Sequence, residues 1–317
     1  MMTDEPHTTE HREHRRRRLR RHGRRAYIRS VYVLPSMATL GNAICGFAAM
    51  YIAAFDETNV GSDQVARWFL GYKFLAASYL IFLAMVFDAL DGRLARFARH
   101  TTDFGGQLDS MADVVSFGAA PAFIALQVFK SVSAEAHWAL PHSISRLIWA
   151  IAAIYFSCAA IRLARFNVSN EHGEQHHFSF LGLPSPGAAA AVVGFVLMQR
   201  DLTEIAASTG YSFIETLARI TVCILPIVVL ACGLLMVSGV RYPHLVNRYL
   251  RGKKSFGRLL LVLVIVMALI FQHRYVLALG ALGYAMVGPI SHLLARYRAR
   301  KKAVFAGARS VDPAPSE

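Results

Sequence analysis

The sequence predicts an all-α fold, a polytopic membrane helical bundle with about eight transmembrane helices and both termini in the cytoplasm. Of its 317 residues, 55% are hydrophobic and only 17% are charged. Uncharged apolar runs long enough to cross a bilayer recur along most of the chain. A soluble domain of this length buries its core without being so apolar throughout, so an integral membrane protein is the expected class.

Length and flanking charge define the predicted spans, because helices that are apolar on every side carry no periodicity that marks their ends. The eight spans are 31–55, 68–92, 107–130, 144–166, 184–199, 213–239, 258–271 and 275–295. The seventh is short for a complete crossing, since a membrane helix needs about 20 apolar residues.

Basic loops alternate with acidic or neutral loops along this topology. Arginines precede the first span, and basic residues follow the second, fourth, sixth and eighth spans, as in "RYPHLVNRYLRGKKSFGR". The loops after the first and fifth spans, "FDETNVGSDQ" and "RDLTEIAASTG", are acidic or neutral. Because positively charged loops remain in the cytoplasm, this pattern places both termini there. In a bacterium the expected location is the inner membrane.

Three regions follow from composition: an Arg-rich cytoplasmic tail over 1–30, a membrane domain over 31–302 and a C-terminal tail over 303–317. Both tails are expected to be disordered. The Arg-rich tail invites a nucleic-acid interpretation, but it lacks interleaved aromatic residues and directly precedes a span. We therefore expect it to attract anionic membrane lipids rather than nucleic acid.

A polar stretch, "DALDGRLARFARHTTDFGGQLDSMAD", interrupts the apolar runs and contains five aspartates. Four of them form two pairs at helical spacing, and the fifth, Asp103, does not share that spacing. A carboxylate at the centre of a membrane helix costs about 2.5–3.5 kcal/mol, so four of them require a compensating partner. Helical spacing places two sets of residues each on one face: Asp88, Asp91, Gly92, Ala95 and Arg96, and then Gly105, Asp109 and Asp113. The intervening "FARHTTDF" can turn the chain so that the two faces meet.

Such a cluster offers only oxygen ligands, which suit a hard divalent cation such as Mg²⁺ or Mn²⁺. Two such ions can hold a phosphate ester and its leaving oxygen. Gly92 and Gly105 leave room for a bulky ligand, and Arg96 can pair with a phosphate group. A single aspartate near a helix end is often a solvated cap, but four in register with two glycines and an arginine favour a metal site.

The chain resembles the CDP-alcohol phosphotransferases, whose signature D-x2-D-G-x2-A-R-x8-G-x3-D-x3-D it matches at every fixed position. The resemblance implies a membrane-embedded enzyme that passes a phosphatidyl or similar group from a CDP-linked donor to an alcohol and releases CMP. It implies two divalent cations bound by Asp88, Asp91, Asp109 and Asp113, with Asp113 also the general base. It places Gly92, Ala95, Arg96, Thr102 and Gly105 on the CDP group, and it favours a homodimer.

Other stretches resemble the phosphatidylserine synthase branch of that family: "LPSMATLGNAICGF", "LDSMADVVSFGAAPAF", "IRLARFNV", "FLGLPSPGAAA" and "MVSGVRYP". The branch implies CDP-diacylglycerol as donor and L-serine as acceptor, and it places Thr39 and Asn42 near the donor. The chain departs from the branch at Ser36, where an asparagine is usual. The small residues after Pro184 and Pro186 favour close helix packing over substrate contact.

Serine carries a carboxylate, so a site for it needs a cation. Arg162 and Arg165 lie at the cytoplasmic end of the fourth span with Asn167 beside them, and we predict that at least one of these arginines binds the serine carboxylate. The alternative is that both are anchors that reach toward lipid headgroups.

Three other functions compete with serine transfer. A sister enzyme would use glycerol phosphate, inositol phosphate or choline as acceptor. A transporter would carry acids near helix centres and broken helices in both halves, whereas these acids fall in one short stretch. An inactive scaffold would not need the complete signature.

Overall fold

The computed structural model describes residues 36–55, 71–98, 103–135, 141–171, 182–240, 242 and 256–309, with several helix ends described in backbone only. These residues are mainly helical and include no strand. The helices are α1 (Ser36–Ala54), α2 (Lys73–Ala98), α3 (Asp103–Asp113), α4 (Ala120–Glu135), α5 (His142–Glu171), α6 (Ser185–Thr209), α7 (Ser212–Val237) and α8 (Phe256–Arg309). A π-helical turn over Val114–Ala119 joins α3 to α4 without a break.

Six of the described helical segments are long and apolar enough to cross a membrane, which confirms the predicted polytopic helical class. They are Ser36–Ala54, Lys73–Arg93, Phe104–Ala134, His142–Val168, Ser212–Val237 and Met267–Arg298. The fifth predicted span corresponds to α6, and the seventh corresponds to the part of α8 before Gln272. The total of eight crossings stays a prediction.

Helix α6 lies at the centre of the bundle and packs against α8, α7, α2 and α4. Its small residues make this possible: Ala188, Ala189 and Ala191 are fully buried. A Cβ added at Gly194 would lie only 3.0 Å from the Cα of Ala278 on α8. Close approach of backbones through small side chains is how membrane helices associate. The predicted packing role of the "GLPSPGAAA" stretch is consistent with this arrangement.

The residues that lead into α6 are tied to the end of α7. The amide of Gly182 donates to the Val240 carbonyl at 2.8 Å, and the amide of Leu183 donates to the Leu235 carbonyl at 3.0 Å. Gly182 has a φ of 88°, and a Cβ there would lie 2.2 Å from the Met236 carbonyl oxygen. Only glycine fits such a position. The two stretches "FLGLPSPGAAA" and "MVSGVRYP", far apart in sequence, therefore meet in the fold.

Helix α8 differs from the expectation at two places. Its backbone leaves the helical conformation at Gln272 (φ −137°, ψ 46°), so the two predicted spans meet there without a loop. It also continues to Arg309, into the tail expected to be disordered from 303. The residues of this end, "RYRARKKAVFAGAR", are mostly strong helix formers, which accounts for the extension. Residues 310–317 and the Arg-rich tail over 1–30 lie outside the described residues.

A polar cluster lies beside the kink. The guanidinium of Arg274 donates to Asp201 at 2.6 Å and to Glu204 at 2.7 Å, joining α8 to α6. The Tyr79 hydroxyl and His273 Nε2 are hydrogen-bonded at 2.6 Å, joining α8 to α2. On α6, Asp201 lies sixteen residues beyond Ser185, or about 24 Å along the helix at 1.5 Å per residue. These contacts hold α8 against α6 and α2 near Gln272, far along α6 from Ser185.

Candidate active site

Three carboxylates from two helices meet at one point. Asp88 and Asp91 lie on α2 and Asp109 lies on α3, and one oxygen from each is within 4.8 Å of the others. Asp91 is buried, with 6% of its surface exposed, and the other two are half-buried. The predicted convergence of the two helical faces is therefore present in the fold.

The first helix supplies two hydrogen-bond donors to the acids. Thr39 Oγ1 donates to Asp91 Oδ2 at 2.9 Å, and Asn42 Nδ2 donates to Asp113 Oδ1 at 3.0 Å. Thr39 and Asn42 are both buried. They lie three residues apart and so share a face of α1. Donors of this kind orient the carboxylates and stabilise their charge, and they are characteristic partners of metal ligands.

Asp113 stands one helical turn beyond Asp109 and is buried, with 8% of its surface exposed. It is not one of the three carboxylates that share the 4.8 Å cluster, although it interacts electrostatically with all of them. Helix α3 ends at Asp113, where the π-helical turn begins. The wider turn therefore starts directly behind this carboxylate, and π-helical turns often occur at functional sites.

Close packing holds the π-helical turn against α1 and α5. Ser116 Oγ donates to the Asn42 carbonyl at 2.8 Å, and the Tyr155 hydroxyl donates to the Phe117 carbonyl at 3.0 Å. Gly46 allows the contact with α1, because a Cβ there would lie 2.7 Å from the Cα of Ser116. These contacts fix the position of α1 along the axis of α3, and so they also fix the position of the Asn42 amide.

The residues present fit a hard divalent cation. The three clustered side chains offer only carboxylate oxygens, the ligands that Mg²⁺ and Mn²⁺ prefer. Within the part of the chain that the structure describes, Asp109 Oδ1 is buried and has no hydrogen-bond partner. A buried acceptor without a donor is costly, and so is a group of like charges held this close together. A bound cation would remove both costs.

The structure describes only part of the predicted donor site. Gly92 is exposed, and a Cβ added to it would meet none of the described atoms within 4 Å. Gly105 is partly exposed on the first turn of α3. The side chains of Ala95 and Arg96 lie outside the described residues, as does Thr102.

The predicted acceptor residues differ in environment. Arg162 is half-buried on α5, interacts electrostatically with Asp113, and donates from Nη1 to Ser185 Oγ on α6 at 2.8 Å. Arg165 is exposed. Asn167 accepts a hydrogen bond from Ser110 at 2.9 Å, so α5 is also tied to α3. Of the two arginines, only Arg162 has such contacts among the described residues.

Sequence reasoning did not single out Ser110 or Ser185. Ser110 follows Asp109 directly and Ser185 lies between two prolines, so both stand within the quoted stretches. Neither contact has a local signal, because each joins residues that are more than 20 positions apart.

Comparison with known proteins identifies the family. The model of the CDP-alcohol phosphatidyltransferase family matches residues 32–237, nearly two thirds of the chain. The chain belongs to this family. The matched region includes α1 to α7 and ends where α7 ends, so α8 lies outside it.

Several CDP-alcohol phosphatidyltransferase relatives share one name. The chain is 30% identical to the CDP-diacylglycerol–serine O-phosphatidyltransferase of Helicobacter pylori over 68% of this chain and 74% of that protein. It is 31% identical to the protein of the same name from Methanocaldococcus jannaschii, over 70% and 79% respectively. The one from Bacillus subtilis is 28% identical over 67% of this chain and 90% of its own length.

Proposed function

We propose that this protein is a CDP-diacylglycerol–serine O-phosphatidyltransferase. It transfers the phosphatidyl group from CDP-diacylglycerol to the hydroxyl of L-serine, and the products are phosphatidylserine and CMP. The observation that carries the proposal is the convergence of Asp88, Asp91 and Asp109 beside a buried Asp113 in a member of this family. The name shared by relatives from bacteria and an archaeon supports serine as the acceptor.

The reaction requires a base, because an alcohol is a weak nucleophile near neutral pH. Asp113 takes the proton of the serine hydroxyl as the serine oxygen bonds to the β-phosphorus of the donor. The bond from that phosphorus to the bridging oxygen breaks, and CMP leaves with the electron pair. Asn42 donates to Oδ1 of Asp113, which holds the carboxylate in place while its other oxygen receives the proton.

Asp88, Asp91, Asp109 and Asp113 would hold two divalent cations, Mg²⁺ or Mn²⁺. When bound, such ions neutralise charge that grows on the diphosphate during transfer. The chain itself contributes the orientation of the ligands, since Thr39 donates to Asp91 and Asn42 donates to Asp113. Gly92, Ala95, Arg96, Thr102 and Gly105 would bind the CDP group.

Arg162 is the residue proposed to bind the serine carboxylate. Its charge lies within electrostatic range of Asp113, so an acceptor whose hydroxyl meets Asp113 can direct its carboxylate toward this guanidinium. Asn167 is held toward the same region by Ser110. Arg165 is exposed, which favours a role at the membrane surface.

The site is proposed to open to the cytoplasm, where serine and CMP are soluble, while the acyl chains remain in the inner membrane of a bacterium. Basic loops follow the second and fourth predicted spans, next to the acids and to Arg162, and this supports the orientation. The Arg-rich tail is proposed to contact anionic lipids, and the protein is proposed to act as a homodimer.

The test is CMP release by purified protein with CDP-diacylglycerol and Mg²⁺ or Mn²⁺, with and without L-serine, beside an Asp113→Asn variant. We expect serine-dependent release that the variant loses. The matched control is Glu215→Gln, which removes a charge from an exposed pair on α7 and should leave release unchanged. No release with serine, but release with glycerol phosphate, inositol phosphate or choline, would retain the family and reject serine as the acceptor.

A further inference from the structure

Contacts beside Arg162 connect three helices. Arg162 on α5 donates to Ser185 at the start of α6, and the Tyr284 ring on α8 packs on Gly187, two residues further along α6. Arg162 and Tyr284 also interact electrostatically. Ser185 is almost completely buried, with 1% of its surface exposed. The arginine therefore approaches the acids from a position that α6 and α8 define.

The contacts of Arg162 leave part of its guanidinium unused. Nη1 donates to Ser185, whereas Nε is buried and has no hydrogen-bond partner among the described residues. A buried charged donor without an acceptor is costly, and a ligand carboxylate is the kind of acceptor that guanidinium groups bind best. The bond to Ser185 restricts rotation of the guanidinium and so determines which edge remains for that ligand.

Tyr284 is itself held in place. Its ring packs on Gly187, where a Cβ would lie 3.0 Å from Cε1 of the ring. On another side it meets the ring of Tyr242, with the two centroids 5.7 Å apart. Tyr242 is buried and donates to the Ala285 carbonyl at 2.8 Å. Burial raises the pKa of Tyr242 to about 12, so this donor keeps its proton under ordinary conditions.

We propose that Ser185 and Tyr284 are positioning residues that hold the Arg162 guanidinium toward the carboxylate of the acceptor. This rests on the proposed function and deepens it, because it assigns acceptor selectivity to α6 and α8. Helix α8 lies outside the region that the family model matches. Selectivity for an acceptor with a carboxylate therefore depends in part on a helix outside the matched family domain.

Kinetics with Ser185→Ala and Tyr284→Phe test the proposal. At saturating CDP-diacylglycerol, Ser185→Ala should raise the KM for serine about tenfold, and Tyr284→Phe about threefold, with kcat changed little. The KM for CDP-diacylglycerol should not change. The matched controls are Ser157→Ala and Tyr297→Phe, since Ser157 is exposed and donates to the Ala153 carbonyl of its own helix, and Tyr297 is 67% exposed.

Two further measurements separate positioning from a general structural effect. The ratio of kcat/KM for L-serine to that for L-serinamide, which lacks the carboxylate, should fall in both variants. In an Arg162→Gln background, Ser185→Ala should have almost no further effect on the KM for serine, because Ser185 acts through Arg162. Gly187→Ala, which forces the Tyr284 ring to move, should resemble Tyr284→Phe and serves if Tyr284→Phe does not fold.

Each outcome is decisive. A KM for serine within twofold of the wild-type value in the folded variants would overturn the positioning role, as would effects of Arg162→Gln and Ser185→Ala that simply add. Either result, seen beside normal serine-dependent CMP release by the wild type, leaves the proposed function intact. Wild-type protein that releases CMP only with an acceptor that has no carboxylate would overturn both.

Discussion

Asn42 and Asp113 are joined by a hydrogen bond of 3.0 Å although they are 71 residues apart in the sequence. Both side chains are buried, and the carbonyl of Asn42 accepts a second bond from Ser116 on the π-helical turn. The first helix is thus connected at two points to the segment that carries the proposed base. A helix with no acidic residue of its own takes part in orienting the acids.

Replacing Asn42 with Ala should therefore reduce catalysis more than binding. Loss of a donor to a catalytic or metal-bound carboxylate typically costs about 10- to 100-fold in activity or metal affinity. We expect kcat for CMP release to fall within that range while the KM for serine changes little. The backbone contact with Ser116 does not depend on the side chain, so the variant should fold. An unchanged kcat would contradict an orienting role for Asn42.

Activity should require a divalent cation bound by the aspartate cluster. Removal of cations with EDTA should abolish CMP release, and Mg²⁺ or Mn²⁺ should restore it. Asp91→Asn and Asp109→Asn each remove a charge from the cluster, so the Mg²⁺ concentration for half-maximal rate should rise at least tenfold. Glu215→Gln is again the control, because Glu215 pairs with Arg219 on an exposed face. Full activity in EDTA would rule out the metal site.

Gly46→Ala should separate α1 from the π-helical turn. The added Cβ would lie 2.6 Å from Ser116 Oγ and 2.7 Å from its Cα, and backbone atoms cannot yield as a flexible side chain does. We expect a loss of about 1–3 kcal/mol in stability and a marked loss of activity. Gly283→Ala on α8 is the control, because no atom of the described residues lies within 4 Å of its added Cβ. Thermal unfolding in detergent measures the stability of both variants. A melting temperature of Gly46→Ala equal to that of the wild type would contradict the prediction.

Arg274→Gln should weaken the docking of α8 without affecting the chemistry directly. It leaves Asp201 and Glu204 without their partner, and Arg274 and Asp201 are only about one-fifth exposed. We expect a loss of about 2 kcal/mol, measured as a lower melting temperature in detergent. Arg219→Gln removes an exposed pair between neighbouring helical turns and should cost only about 0.3–0.5 kcal/mol. A strong fall in the kcat of Arg274→Gln, at a temperature where this variant remains folded, would show that the contacts of Arg274 influence the candidate active site.

Helical spacing alone predicted the shared faces of the aspartates, because the positions of side chains three and four residues apart are fixed by local geometry. The meeting of the two faces was expected from a turn of the chain in "FARHTTDF", and residues 99–102 of this stretch lie outside the described residues. The family resemblance, rather than any pattern in α1, led to Thr39 and Asn42. The bond between Arg162 and Ser185 depends on how α5 packs beside α6, which no local pattern specifies.

Two backbone features also escaped prediction. The stretch "VVSFGA" of the π-helical turn is apolar like the start of the α-helix that follows it, so its residues do not mark the change of helix type. The kink at Gln272 contains neither proline nor glycine, the usual signals of a break. The contacts of the next two residues account for the kink, because Arg274 is bonded to Asp201 on α6 and His273 is bonded to Tyr79 on α2.

The π-helical turn has a consequence for which genetic changes the protein can survive. Deletion of one residue between Val114 and Ala119 would leave the Asp signature intact letter by letter. Because a π-helical turn holds one residue more than an α-helical turn, the shortened segment could form regular α-helix, and α3 and α4 would keep nearly the same orientation. The deletion would instead change the contacts of the turn, those of Ser116 with α1 and of the Phe117 carbonyl with α5. An intact motif in a homologous gene is therefore a better sign of an active protein when the length of the segment after its last aspartate is also preserved.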